Sequence, residues 1–308
     1  MPPVSVIIGT FNCAKFLPGL WTCLDTQTFQ DFDIVVVDDA STDTETLPAL
    51  EAMGDRIQLV RRPVNSGTCE LPRYQGVREA RGRYCAFLDA DDRWDPEFLQ
   101  RAFDFLEANP DTPLVHAAVR VVDGEDRVLR IRHDGEMPES SEMARALLRH
   151  CLITVSAVMV RRQVWLDAVP EERITDFGMD ADFFLAIARR YPIGFLPEVL
   201  ASYRRSDASI STRKWKRAPR NVNTMERFLR QKDYQGLISR REMKGILADA
   251  HYENAEHWLS AQRSGRSLWF ALRGLRFAPF DPRLWRAGAR AVWRAVRRTE
   301  VGGRKSEV

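Results

Sequence analysis

Four short apolar runs, each followed by a polar stretch able to form a helix, constrain this chain more than any other feature. Val4-Ser-Val-Ile-Ile8, Asp33-Ile-Val-Val-Val37, Ile57-Gln-Leu-Val60 and Tyr84-Cys-Ala-Phe-Leu88 have the length and β-branched content of strands. Their near-continuous apolar character suits parallel strands covered on both faces rather than a half-exposed sheet. Lys15–Thr28, Thr44–Met53 and Leu71–Ala80 read as the crossover helices between them. Strand and helix in alternation predict an α/β, mainly parallel, Rossmann-like sheet, and ligands of such sheets bind beyond the carboxyl ends of the strands.

Further on, the pattern turns to strand-like segments over Leu114–Arg132 and Val155–Val160, then a helix over Asp180–Arg190. After Ser211 it reads as helical segments punctuated by Gly236, Gly265 and Pro279-Phe-Asp-Pro282. The expected organisation is a catalytic domain over 1–212, with halves of about 1–112 and 113–212, and a helical appendage over 213–308. Charge divides at the same place. Residues 1–212 hold 23 basic against 34 acidic residues, and 213–308 hold 23 against 9. A basic tail points to an anionic surface.

Five cysteines at 13, 23, 69, 85 and 151, with no CxxC pair, argue against a disulfide framework or a zinc site. The longest apolar stretch, Cys151–Val160, is far short of the ~20 residues a membrane-spanning helix needs. No basic residue precedes Val4–Ile8, which is too short for a signal-peptide core. The expectation is a cytoplasmic protein, peripheral on the inner face of a membrane.

The strand ends carry the chemistry. Gly9-Thr10-Phe11-Asn12 follows the first run and Asp38-Asp39-Ala-Ser41-Thr42-Asp43 the second. Turn and cap chemistry accounts for Ser41, Thr42 and Asp43. Of two adjacent carboxylates, however, one cap needs only one, leaving the other to accept from a ligand. The fourth run ends in Asp89-Ala-Asp91-Asp92, carboxylates that repel one another unless a cation relieves them. Mg²⁺ or Mn²⁺ held by one or two carboxylates and substrate phosphates fits that need, with an acidic cap of the next helix as the other reading.

Val4–Asn12, Val37–Asp43, Asn65-Ser-Gly67 and Ala80–Asp92, in this order and spacing, resemble the family-2 glycosyltransferases, inverting enzymes of the GT-A fold. The resemblance covers roughly residues 3–212. It implies that Thr10 and Phe11 lie against the nucleotide base, that Asp39 accepts from its ring N–H, and that Arg73 lies by the nucleotide. It also implies Asp89 near the ribose and Asp91 as ligand of a Mg²⁺ or Mn²⁺ ion bridging the diphosphate.

The family's general base sits in a Glu-Asp pair after a glycine. The matching stretch is Phe177-Gly-Met-Asp180-Ala-Asp182, with Asp180 at the base position and Met179 in place of Glu. Asp182 is the competing candidate. Trp94 matches an aromatic near the acceptor, although core packing explains it equally. Ser206 stands where a histidine often faces the metal, leaving Arg204 and Arg205 as diphosphate contacts. No histidine falls in a recognised position.

The resemblance therefore implies a metal-using inverting glycosyltransferase. It would take a nucleotide-sugar donor, most simply UDP-linked, and transfer to a polysaccharide or lipid-linked glycan. The alternative is a non-catalytic nucleotide-sugar-binding or scaffold subunit, kept open by Met179 and Ser206. A phosphate-binding Gly-rich loop and a GxGxxG motif are both missing, which sets aside nucleotidyltransferases and dinucleotide dehydrogenases.

Arg283–Arg298 places Arg283, Arg286, Arg290, Arg294, Arg297 and Arg298 within about 120° of a helical wheel, with Trp285, Ala289, Val292 and Val296 opposite. Such a helix either lies on an anionic membrane or docks its apolar face on the catalytic domain with its arginines in water. Nucleic-acid binding is not expected, for want of stacking aromatics or a helix-turn-helix.

Overall fold

The computed structural model describes residues 1–132, 137–149, 152–168, 179–205, 222, 226 and 238–303. It divides the chain into two compact units, Met1–Ser206 and Asp207–Val308.

In the first unit β1 (Val4–Thr10), β2 (Phe32–Asp38), β3 (Gln58–Arg61) and β4 (Tyr84–Phe87) are all parallel, in the order β3-β2-β1-β4. The four apolar runs are thus strands, each displaced by no more than two residues at either end. β5 (Arg93–Trp94), β6 (Leu114–Val122), β7 (Val128–Arg132), β8 (Val158–Arg161) and β9 (Ile193–Arg204) continue the same sheet. β8 runs antiparallel between β4 and β6, and β9 runs parallel to β6.

Both faces of the sheet are covered, which explains the continuous apolar runs. Val4, Val6 and Ile8 face α1 (Leu17–Asp25), α2 (Thr46–Glu51) and α4 (Phe98–Ala108) through Leu17, Leu20, Leu50 and Phe98. Ile7 points the other way, towards α3 (Glu70–Glu79). A Cβ at Gly76 would meet Ile7 Cγ2 at 2.5 Å, so α3 lies closer to the sheet than any other residue permits. On this face Phe87 packs on Trp165 of α6 (Arg162–Ala168), which stacks at 4.0 Å on Phe183 of α7 (Met179–Ala188). A further helix, α5 (Ser140–Arg149), precedes β8.

The second unit contains α8 (Arg240–Ser260), α9 (Ser264–Leu275) and α10 (Pro282–Gly303). Ser239 caps α8, its hydroxyl accepting from the Glu242 N–H at 3.1 Å. Ala255, Ala271 and Ala287 form the seam of the three helices, and small side chains let the backbones approach. Gly265 was expected to break a helix. It lies instead in the first turn of α9, where glycine costs least, while Gly236 lies outside the described residues. Among the described residues no helix is long and apolar enough to cross a membrane.

Candidate active site at the strand ends

Parallel pairing places Thr10 opposite Asp38, so β1 and β2 end side by side. The chain turns at both ends through left-handed backbone, at Asn12 (φ 49°) and Ala40 (φ 58°). For alanine that conformation costs of order 1 kcal/mol. Surrounding hydrogen bonds hold it. Asn12 accepts from the N–H groups of Thr42 and Asp43 at 2.7 and 3.0 Å and donates to the Thr42 hydroxyl. Thr46 Oγ1 accepts from Cys13 and Ala14. Phe11 at the tip remains 45% exposed.

The two adjacent carboxylates divide their work. Asp38 closes the turn, accepting from the Ser41 N–H and hydroxyl. Asp39 was expected to be free for a ligand, but it is engaged. It accepts from Ser66 N–H at 3.0 Å and Ser66 Oγ at 2.8 Å, and it pairs with Arg62 Nε at 2.8 Å. Nothing in the acid pair itself signalled this. The informative segment is Asn65-Ser66-Gly67, whose Gly67 takes φ 71° and whose Asn65 donates to the Asp39 carbonyl. The Ser66 hydroxyl also reaches the Thr68 carbonyl at 2.9 Å. One hydroxyl proton thus has two acceptors, while the Ser66 N–H holds both oxygens of Asp39.

Arg73 and Asp89 also pair with each other. Arg73 Nη2 lies 2.6 Å from both Asp89 oxygens, and Nε reaches Oδ1 at 3.2 Å. Arg73 is buried, and Asp89 keeps an exposed edge.

Asp91 is set apart. Its guanidinium neighbours are directed to main-chain carbonyls, Arg93 to those of Ala90 and Asp92, and Arg204 to that of Asp91. Burial, then the charge of Asp89, push the Asp91 carboxyl up to about 6. Asp92, fully buried and accepting from the Arg204 N–H at 2.8 Å, is pushed well up by burial and by the charges of Asp91 and Asp89. A carboxylate beside like charge, facing the strand ends, is a donor set that suits a hard divalent cation. Among the described residues no group of three or more His, Cys, Asp or Glu side chains could hold a metal.

Two expectations are corrected. Trp94 is a core residue, 4% exposed, with its indole N–H donated to the Ser156 carbonyl at 2.5 Å and its ring 4.6 Å from Phe98. Arg204 is not available to a diphosphate. Its guanidinium donates to the carbonyls of Asp91, Asp123 and Gly124 and to the Asp126 carboxylate, clamping the β6–β7 turn to the acidic loop. Arg205 is exposed. Asp180 falls in the first turn of α7, and its side chain, like those of Met179 and Asp182, lies outside the described residues, as does Ser206.

A mainly parallel sheet with carboxylates and one exposed aromatic gathered at its strand ends is an α/β architecture of the GT-A kind. The sequence profile of Glycosyl transferase family 2 matches residues 5–169, and the chain belongs to that family of glycosyltransferases. It is 28% identical over 223 residues to TuaG of Bacillus subtilis, a glycosyltransferase named for teichuronic acid biosynthesis, covering 70% of this chain and 84% of TuaG. An uncharacterized glycosyltransferase of Methanocaldococcus jannaschii, MJ1057, is 26% identical, with 83% and 82% covered. The fold matches S. aureus TarS 1-349, solved with UDP-GlcNAc, at a TM-score of 0.66 and 20% identity over 97% of this chain and 92% of that one. It also matches the mannosyltransferase PcManGT of Pyrobaculum calidifontis, solved with GDP-Man and Mn²⁺, at 0.57 and 20% identity over 96% and 86%.

Proposed function

We propose that this glycosyltransferase moves a sugar, with inversion, from a UDP-sugar to a hydroxyl of a polysaccharide or lipid-linked glycan at an anionic membrane surface. The observation that carries this reading is the row of strand-end groups: Phe11 exposed, Asp39 beside it, Asp89 partly exposed on Arg73, and Asp91 without a guanidinium partner among the described residues.

The base rests on Thr10 and Phe11 and gives its ring N–H to Asp39. Asp89 accepts from the ribose, and Arg73 holds it in place. Asp91 would hold Mg²⁺ or Mn²⁺, which when bound would supply positive charge to the departing diphosphate. Asp180 takes the proton of the acceptor hydroxyl while the acceptor oxygen bonds to the anomeric carbon. The bond from that carbon to the diphosphate oxygen breaks on the opposite face, and UDP leaves with the electron pair. Arg205, exposed at the end of the first unit, supplies a cation for the diphosphate.

Calorimetry of UDP binding in Mn²⁺ and a sugar-transfer assay test this together. Asp180→Asn is expected to abolish transfer with UDP affinity nearly intact, and Asp91→Ala to weaken only the metal-dependent part of UDP binding. Full turnover by the Asp180 variant would refute its assignment.

A further inference from the structure

The arginine arc of α10 does not act as one surface. Three of its arginines are directed inwards, onto α8. Arg283 pairs with Asp249 and Asp281, Arg290 with Glu256, and Arg294 donates to the Leu259 carbonyl. The buried face of the helix is Leu284, Ala287, Gly288 and Ala291, packed on α9; a Cβ at Gly274 would meet Leu284 Cδ2 at 2.7 Å. Within the helical unit, the Trp-bearing face is thus not the one that seats this helix.

That face stays open. Trp285 is 59% exposed, Trp293 55%, and Val292 and Val296 about half. At 100° per turn step these four fall in a strip about 100° wide, turned away from the buried face. Bordering the strip are Arg286 and Arg297, which have no carboxylate partner among the described residues. Arg297 lies over the Trp293 ring at 4.2 Å, so positive charge sits at the rim of the apolar strip.

We infer that this strip of α10 seats the protein on an anionic lipid surface, with Trp285, Val292, Trp293 and Val296 entering the headgroup boundary and Arg286 and Arg297 meeting lipid phosphates. Two tryptophans beside unpaired arginines match an interfacial helix, which combines apolar burial with attraction to anionic headgroups. A second copy of the chain fits poorly. α10 carries six arginines and a single acid, Glu300, so the strip paired with itself would set arginine against arginine.

This inference deepens the membrane part of the proposed function but rests on the helical unit alone. Its test uses the full chain without donor, so it stands or falls separately from the transfer reaction. Co-sedimentation with phosphatidylcholine vesicles, with and without phosphatidylglycerol, is expected to show binding only to the anionic set, and high salt to weaken it. Arg286→Glu with Arg297→Glu should cut partition by more than about tenfold, at about fivefold per basic residue. Trp285→Ser with Trp293→Ser should do the same while far-ultraviolet circular dichroism keeps its helical signal. Equal binding to neutral vesicles, or arginine reversal without effect, overturns the inference. So does a dimer in sedimentation equilibrium that the tryptophan pair abolishes.

Discussion

A carboxyl whose surroundings oppose its charge reports on what is meant to sit beside it. Asp91, pushed up to about 6 by burial and by Asp89, costs stability wherever it is ionised. That cost is relieved as pH falls through 6 towards the ordinary carboxyl value. In metal-free protein, Asp91→Asn should raise Tm at pH 7.5, and the gain should shrink below pH 6. A Tm that does not rise counts against the like-charge account. Thiols give a second reading of burial. Desolvation, with the charges of Asp38 and Asp43, pushes Cys13 up to about 12, and burial also pushes Cys23 and Cys85 up. A thiolate is the reactive form, so iodoacetamide at pH 8 should leave all three unmodified in native protein and label them in denaturant, as peptide mass spectrometry would show.

Elements were legible where one physical signal dominated. β1, β2 and β4 declared themselves by runs such as Ile34–Val37, buried on both sides, and the groups at their ends followed from the topology. β9 was not seen. Its sequence carries Gly194 and Pro197, which read as breaks. The sheet absorbs them with a register shift: Ala117 pairs with Leu196 but Ala118 with Val199, which steps over Pro197 and Glu198. The roles of Trp94 and Arg204 were equally hidden, because each depends on partners 62 and 113 residues away in sequence. No local pattern reports such contacts. Gly76, by contrast, gives an element-level prediction. Gly76→Ala forces its Cβ into Ile7 and should cost about 1–3 kcal/mol in denaturant unfolding as α3 is displaced from the sheet.

At the scale of the molecule, the chain keeps acid in the unit that carries the strand-end carboxylates and base in the unit that holds α8 to α10. Each has its own interior, Val4 to Leu200 in one and Ala255, Ala271 and Ala287 in the other. Ala287→Arg buries a charge without a partner and should lose helical signal at lower temperature. The Mn²⁺-dependent thermal shift with UDP should survive it. Loss of that shift would show that the donor site needs more than residues 1–206. The clamp at Arg204 has a mechanical consequence. The backbone leaves the first unit two residues after the side chain that grips the carbonyl of Asp91 and the turn at Asp123. Tension applied to the chain beyond Ser206 is thus delivered first to the loop that carries Asp91, which makes Arg204 the bond to watch in a single-molecule pulling trace.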